Sequence, residues 1–391
     1  MPAQHVQWHR KHSTVTTAAA GDSSSSGSSG GSSGDQRRRL GRTDLMVPSI
    51  CFGTMLFGES QDYPTACRLL DACMEAGVNF FDSAEMYPVP QRAETQGQSE
   101  EYLGRWMKQH SRDKVIVATK VAGPSCQMTW IRGGPVALDP PNIRQAVDAS
   151  LRRLQTDYID LYQLHWPDRY VPMFGDLDYD PTCAYQSSSP LEDQLAEVGR
   201  AVQQGKVRHV GLSNETPWGL MKALQAADQP ASAVPRVASL QNGYSLTCRT
   251  FDIALAEVCH LEGVSLLAYS PLAMGLLTGK YLAPDGGPAT ARLNKYKGRY
   301  AEAESRYGPK RNVHAAVAAY AQLAHQHGMS PTAMALRFVL RHPLVASAVI
   351  GASTQQQLQE LLAAAGDGPL QDEQLLEAID VLHKRYPNPT P

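Results

Sequence analysis

The chain lacks several features that would each have pointed to a class of function. Its 391 residues contain no uninterrupted apolar run of the ~18 that a helix needs to cross a bilayer, so no membrane span is expected. Cysteine is sparse: seven residues, at 51, 67, 73, 126, 183, 248 and 259, odd in number and without a C-x-x-C pair. That spacing argues against a disulfide framework or a zinc site and suits a reducing compartment. Charge of one sign is lacking too. A formal net charge of -2 gives no electrostatic reason to bind nucleic acid. No G-x-G-x-x-G follows a β-rich run, so a dinucleotide would not be held by the Rossmann device. No His, Cys and Asp spacing calls for a metal, and none is expected.

What is present is a globular composition, 42% hydrophobic and 19% charged. Residues 21–34 (GDSSSSGSSGGSSG) hold only Gly, Ser and one Asp, which cannot bury apolar surface. The reading is a disordered Ser/Gly-rich extension over 1–36, one domain over 37–386 and a tail over 387–391. The first 20 residues lack the apolar core of a secretory signal. Five Lys/Arg against two Asp in the first 40 residues, with much Ser and Ala, fit an organellar transit peptide and equally an inert extension. The expected location is cytoplasmic, with a plastid or other organelle as the alternative. Arg37–Arg39 reads as a solvated face at the start of the domain rather than a targeting patch.

From Leu40 onward, short β-rich runs alternate with helical stretches. The strand candidates are 48–53, 79–84, 115–120, 159–165, 207–213, 238–245, 265–270 and 345–353. They are apolar without long strict alternation, as strands buried on both faces of a parallel sheet should be. Helical patterns over 64–77, 142–154 and 314–328 lie between them, and Gly77 suits a C-terminal cap. Eight such units predict a closed α/β barrel of the (β/α)₈ TIM type, with an open doubly wound sheet as runner-up. A turn signal in Leu40–Pro48 predicts an N-terminal hairpin that plugs the barrel bottom. Residues 166–190 and 276–311 are too long for plain connections and belong at the C-terminal face, where barrel enzymes place their sites.

Polar residues interrupt the apolar runs at strand ends. Asp82 ends NFFD, Lys120 ends VIVATK, His165 ends IDLYQLH, and Tyr87 follows five residues after Asp82. Alone, each has a structural explanation: a turn cap, a wall aromatic, a solvent-reaching ammonium, a satisfied core histidine. Together, at the exits of the second, third and fourth strands, they converge on one side of a barrel mouth. A phenol with a pKa of ~10 is a poor proton donor near neutrality, and a neighbouring ammonium should lower it. Lys120 would supply that charge, Asp82 would hold Lys120, and neutral His165 would orient a substrate oxygen towards Tyr87. Trp166, Tyr170, Phe174 and Trp218 either line the pocket mouth, favouring aromatic or apolar carbonyls, or pack structurally.

The motifs FDSAEMY (81–87), VIVATK (115–120), TDYIDLYQLHWPD (156–168), VGLSNETPW (210–218), LQNGYS (240–245), YSPLAMGLLTGKY (269–281) and VIGAS (349–353) resemble the aldo-keto reductases in order and detail. The resemblance runs from about Leu40 to Lys384 and is nearest to the Tas-like branch, especially over 84–100. Potassium-channel beta subunits are more distantly similar. It implies an NADP(H)-dependent oxidoreductase that reduces an aldehyde or ketone. Asp82, Tyr87, Lys120 and His165 fall on the family's catalytic positions, with Tyr87 the general acid. Ser213, Asn214 and Gln241 fall where the nicotinamide carboxamide is bound, and Tyr269 where a ring stacks on it. Ser270, Leu272, Gly275 and Lys280 belong to the loop over the pyrophosphate. Ser353, Gln357 and Glu360 fall near the adenosine end.

Independent of the resemblance, residues 281–311 carry seven Lys/Arg, Arg292 and Arg306 among them, against three acidic residues, which suits a phosphate-bearing ligand. The sequence departs from the family where Gly351 and Gln357 replace basic residues that hold a 2′-phosphate. Lys280 and Arg292 are the substitutes, and NADH stays the alternative. Leu361 stands where an Asn commonly meets adenine. The resemblance to channel subunits leaves a slow-turnover NADP(H)-binding redox sensor as the second function. A lyase or isomerase using Asp82, Lys120 and His165 without nicotinamide is the third. The expected partner is a small-molecule carbonyl, with no obligatory protein partner.

Overall fold

A computed structural model describes residues 37–391 except 184 and 186, so the reading of 1–36 as an extension lies outside the described residues. Two short strands, β1 (Arg38–Arg39) and β2 (Met46–Val47), pair antiparallel as the expected hairpin. Eight more follow: β3 (Ile50–Gly53), β4 (Phe80–Asp82), β5 (Ile116–Val121), β6 (Ile159–Leu164), β7 (Val207–Ser213), β8 (Val237–Gly243), β9 (Ser265–Tyr269) and β10 (Val345–Ile350). They close in chain order, all parallel, with β10 pairing back onto β3. This is the (β/α)₈ barrel that the alternation of runs predicts. Closure rules out the open-sheet runner-up.

Helices α1 (Tyr63–Glu75), α2 (Gln98–Met107), α3 (Pro140–Leu154), α4 (Leu191–Gln203), α5 (Pro217–Ala227) and α6 (Leu255–Glu262) follow β3 to β8 in turn. After β9 come α7 (Arg292–Lys295), α8 (Ala301–Tyr307), α9 (Arg311–Gln326) and α10 (Pro331–Arg341); after β10, α11 (Gln355–Gly366) and α12 (Glu373–Arg385). Many begin alike. Asp62, Asp139, Thr216 and Ser330 each accept a backbone N–H at the start of α1, α3, α5 and α10, with a proline in the first turn. Such caps satisfy donors that have no partner inside the helix, so the sequence sets where each helix starts.

Strand periodicity sorts the side chains. On β5, Ile116 and Ala118 belong to a cluster inside the barrel, whereas Val117 and Val121 belong to the core between sheet and helices. The period of two therefore sends Lys120 inward, one step nearer the mouth than Ala118. On β6, Leu161 points inward and Tyr162 and Leu164 outward, which places Gln163 inside.

The hairpin closes the bottom. Leu40 and Val47 are fully buried in the inner cluster with Phe80, Leu161 and Leu267. Arg38, read from sequence as solvated, is half-buried instead, and its guanidinium donates to Val345 O (2.5 Å) and Leu340 O (2.9 Å). It serves as a peg between hairpin and barrel. The segment 387–391 also packs: Thr390 is fully buried and bonds Thr247 through both its backbone N–H and its hydroxyl.

Candidate active site

At the C-terminal end of the barrel, Lys120 and Asp82 form an ion pair, Nζ to Oδ2 2.6 Å, with Lys120 0% and Asp82 2% exposed. Further hydrogen bonds hold both members of the pair. Lys120 Nζ also donates to Ser83 O (2.8 Å), and Asp82 Oδ1 accepts from Gln241 Nε2 (2.9 Å) and Gln163 Nε2 (3.3 Å). A buried pair persists only where such extra bonds offset the loss of water. Gln163 went unnoticed in the sequence, although it lies two residues before His165 on the same strand face.

Tyr87 sits above the pair, its ring centroid 5.1 Å from Lys120 Nζ and 5.7 Å from the His165 ring, edge-on at 80°. The three polar residues that end their runs, and Tyr87 from the loop after Asp82, are thus gathered at one place. Their electrostatics differ from expectation at one of them. The Tyr87 phenol is held well above its ordinary pKa, first by burial and then by the charges of Asp82 and Glu302. This net direction is opposite to the lowering expected from Lys120. Asp82 compensates the ammonium, and burial of the phenolate outweighs what attraction is left. His165 behaves as expected: burial, and then Lys120, push it well below its usual value, so the imidazole is neutral near pH 7. Its Nδ1 is buried with no hydrogen-bond partner among the described residues.

A cleft of about 980 Å³ opens over this group. Asp82, Tyr87 and His165 line it, as do Ser213, Asn214, Gln241, Tyr269, Ser270, Leu272, Gly275, Lys280, Arg292, Gly351, Ser353, Gln357 and Glu360, all singled out in the sequence. At its inner end the polar atoms are tied to one another. Asn214 Nδ2 donates to His165 O (2.9 Å), and Asn214 Oδ1 accepts from Tyr269 OH (2.7 Å). Ser213 Oγ donates to Gln241 O (2.9 Å). Tyr269 OH in turn accepts from Arg306 Nη1 (2.9 Å), and Arg306 Nε donates to Pro391 O (2.8 Å). Arg306 counted in the sequence only as one cation of a basic loop. Buried on α8, it fixes the orientation of the Tyr269 ring, a contact 37 residues apart that no local pattern announces.

The outer end is basic. Lys280 is held below its ordinary pKa by burial and then by Arg292, and burial lowers Arg292 as well. Two cations that repel across a cleft are a site an anion would relieve. Gly275, at φ +88°, makes room for this: an added Cβ would stand 2.8 Å from Lys280 Cε. Thr354 caps α11, whose first turn carries Gln357 and whose N–H groups favour an anion there. Amides and an oriented ring at one end, with paired cations and a helix N-terminus at the other, fit a nicotinamide dinucleotide.

The aromatic candidates separate. Trp166 lines the cleft beside His165, with ring centroids 4.8 Å apart, and donates from Nε1 to Pro124 O (3.0 Å). Phe174 lines it as well, whereas Tyr170 packs against Tyr179. Trp218 does not reach the cleft. It stands in the first turn of α5, 59% exposed, against Arg169 (Cζ 5.0 Å from the ring), and lines a smaller neighbouring pocket together with Trp166.

Residues 49–382 match the model of the aldo/keto reductase family. The chain is 45% identical to Protein tas of Escherichia coli (strain K12) over 361 residues, 90% of this chain and 99% of that protein. It is 40% identical to an aldo-keto reductase of Babesia bovis over 289 residues, 71% of this chain and 98% of that one. It is 28% identical to a probable voltage-gated potassium channel subunit beta of Oryza sativa subsp. japonica over 359 residues, 90% and 98% of the two chains. On this match and this barrel, the protein belongs to the aldo/keto reductase family, a family of oxidoreductases.

Proposed function

We propose that the protein reduces an aldehyde or ketone with hydride from NADPH and that Tyr87 protonates the carbonyl oxygen. The observation that carries this reading is the buried Lys120–Asp82 pair directly beneath a protonated phenol, beside a neutral imidazole, at the amide-lined end of the cleft. When bound, NADPH would supply a hydride, two electrons and a proton, to the carbonyl carbon. The protein must then manage the charge that grows on oxygen. His165, neutral, hydrogen-bonds that oxygen and orients it, and Tyr87 gives up its proton as the negative charge forms. Lys120, 5.1 Å from the Tyr87 ring centroid, stabilises the phenolate left behind. Trp166 and Phe174 flank the substrate end and favour apolar carbonyls. Lys280 and Arg292 take the 2′-phosphate in place of the uncharged Gly351 and Gln357, which gives the preference for NADPH over NADH.

The test is a fluorescence titration with NADPH followed by a carbonyl screen on the wild type and on Tyr87→Phe. The variant should bind NADPH within about threefold of the wild type while kcat falls by roughly 10²-fold or more, since only the proton donor is lost. Full turnover in Tyr87→Phe rules the acid out. The similarity to a channel beta subunit favours a second reading, a redox sensor that holds NADP(H) and turns over slowly. Single-turnover oxidation of bound NADPH without steady-state turnover would select it.

A further inference from the structure

Between Asp82 and Tyr87 lies a buried carboxylate that the chemistry above does not use. Glu85 is 1% exposed, and it is fastened at three points. Its backbone N–H donates to Lys120 O (3.1 Å), its carboxylate Oε1 accepts from Ala122 N (2.7 Å), and its carbonyl accepts from Gln96 Nε2 (2.6 Å). Two of those partners, residues 120 and 122, bracket the end of β5. The loop bearing Tyr87 is thus locked to the strand bearing Lys120.

The carboxylate is in turn gripped by Arg132, whose Nη1 reaches both oxygens and whose side chain is 7% exposed. Arg132 Nε donates to Asn142 Oδ1 (2.8 Å) in the first turn of α3. Arg132 also holds φ +53°, a left-handed conformation uncommon for a residue with a side chain. The residues just before the turn it belongs to matter to the cleft: Pro124, Ser125, Gln127 and Met128 form one of its walls. A buried ion pair adds little net stability, because desolvation offsets its attraction. Its bonds define a geometry instead, with the Tyr87 loop, the end of β5, the segment that follows the 124–128 wall and α3 all referenced to one carboxylate.

We propose that Glu85 and Arg132 are positioning residues that set where the Tyr87 phenol stands relative to Lys120 and His165, a role that rests on Tyr87 as proton donor. Neither touches the reacting atoms. The test replaces both charges at once with the double variant Glu85→Gln, Arg132→Met, which avoids leaving a lone buried charge. The double variant is expected to melt near the wild-type temperature and to keep NADPH affinity and carbonyl KM within about threefold, while kcat drops by roughly 10- to 100-fold, the scale of a 1 Å misplacement. Its crystal structure should show the Tyr87 ring displaced from Lys120. A kcat within about twofold of wild type, with the ring in place, overturns the proposal. If the double variant does not fold, Arg132→Lys gives the same readout, since an ammonium keeps the charge on Glu85 and loses the second bond, from Nε to Asn142 at the start of α3. A wild type that reduces no carbonyl sinks the proposed function rather than the clamp. The clamp is then judged by the ring position alone, and an unmoved ring sinks it.

Discussion

Tyr87 and His165 are each kept neutral by burial, the phenol with its proton and the imidazole without one. This fixes a pH dependence. Protonated Tyr87 persists until pH rises past its raised pKa, and unprotonated His165 persists until pH falls past its lowered one. The kcat/KM for carbonyl reduction should therefore be flat from about pH 6 to about pH 9, with no limb near the ordinary histidine value of ~6.5. A break at ~6.5 in the free enzyme would show that His165 titrates normally, contrary to its buried setting. Stability follows the same histidine with the opposite emphasis. Below ~6.5 the unfolded chain binds a proton that folded His165 refuses, so stability should decline on acidification from there. Asp82, Lys120 and His165 were legible in the sequence because each interrupts an apolar run, and Tyr87 because it follows Asp82 by five residues in the loop leaving the same strand. The direction of the Tyr87 shift was not, because it is a difference between burial and paired charges that only the packed site defines. The place of Trp218 outside the main cleft was not legible for a related reason: proximity to a motif does not say which way a helix start turns its side chain.

Among the elements, the strands were the easiest to read. Runs such as IVATKV and IDLYQL are buried over their whole length, and nothing in the chain offers them an alternative period. The hairpin was readable as a turn, and its depth of insertion was not. Gly41 shows that depth: at φ +57° an added Cβ would lie 2.3 Å from the Ala238 carbonyl oxygen. Gly41→Ala should cost roughly 1–3 kcal/mol in denaturant unfolding, through strain and displacement of the plug, with kcat per folded molecule unchanged. An unaltered midpoint would mean the hairpin backs away from the barrel at little cost. The 276–311 connection was recognised by its length and basic charge, yet only some of its cations serve the cleft. Lys280, Arg292, Arg299 and Arg306 line it, while Lys295 lies against Tyr296 and Lys310 bonds Ser305 O. Charge composition finds such a loop, and helix phase decides which residues face the ligand.

At the scale of the whole molecule, stability and recognition rest on separate clusters. The barrel and its helices share one large core. The cleft wall has its own cluster of Met86, Tyr87, Met128, Trp166 and Tyr300, with Met55, Met173 and Met274 packed against it. Truncation should act differently in the two. Leu240→Ala, in the fully buried core, should cost about 2–5 kcal/mol of unfolding free energy, whereas Met128→Ala should chiefly raise the carbonyl KM and cost less stability. Equal melting losses with unchanged KM would show that the methionine wall is merely structural. No helix among the described residues is long and apolar enough to cross a membrane. Finally, the two lysines of the cleft differ in reach. Lys120 has no exposed surface and is locked to a carboxylate, whereas Lys280 is half-buried at the basic end with a depressed pKa. An acylating reagent should therefore modify Lys280 ahead of Lys120, with NADPH protecting it. Inactivation by such a reagent would report a blocked dinucleotide seat, and peptide mapping that found the label on Lys120 would mean the barrel mouth opens far wider than its resting shape.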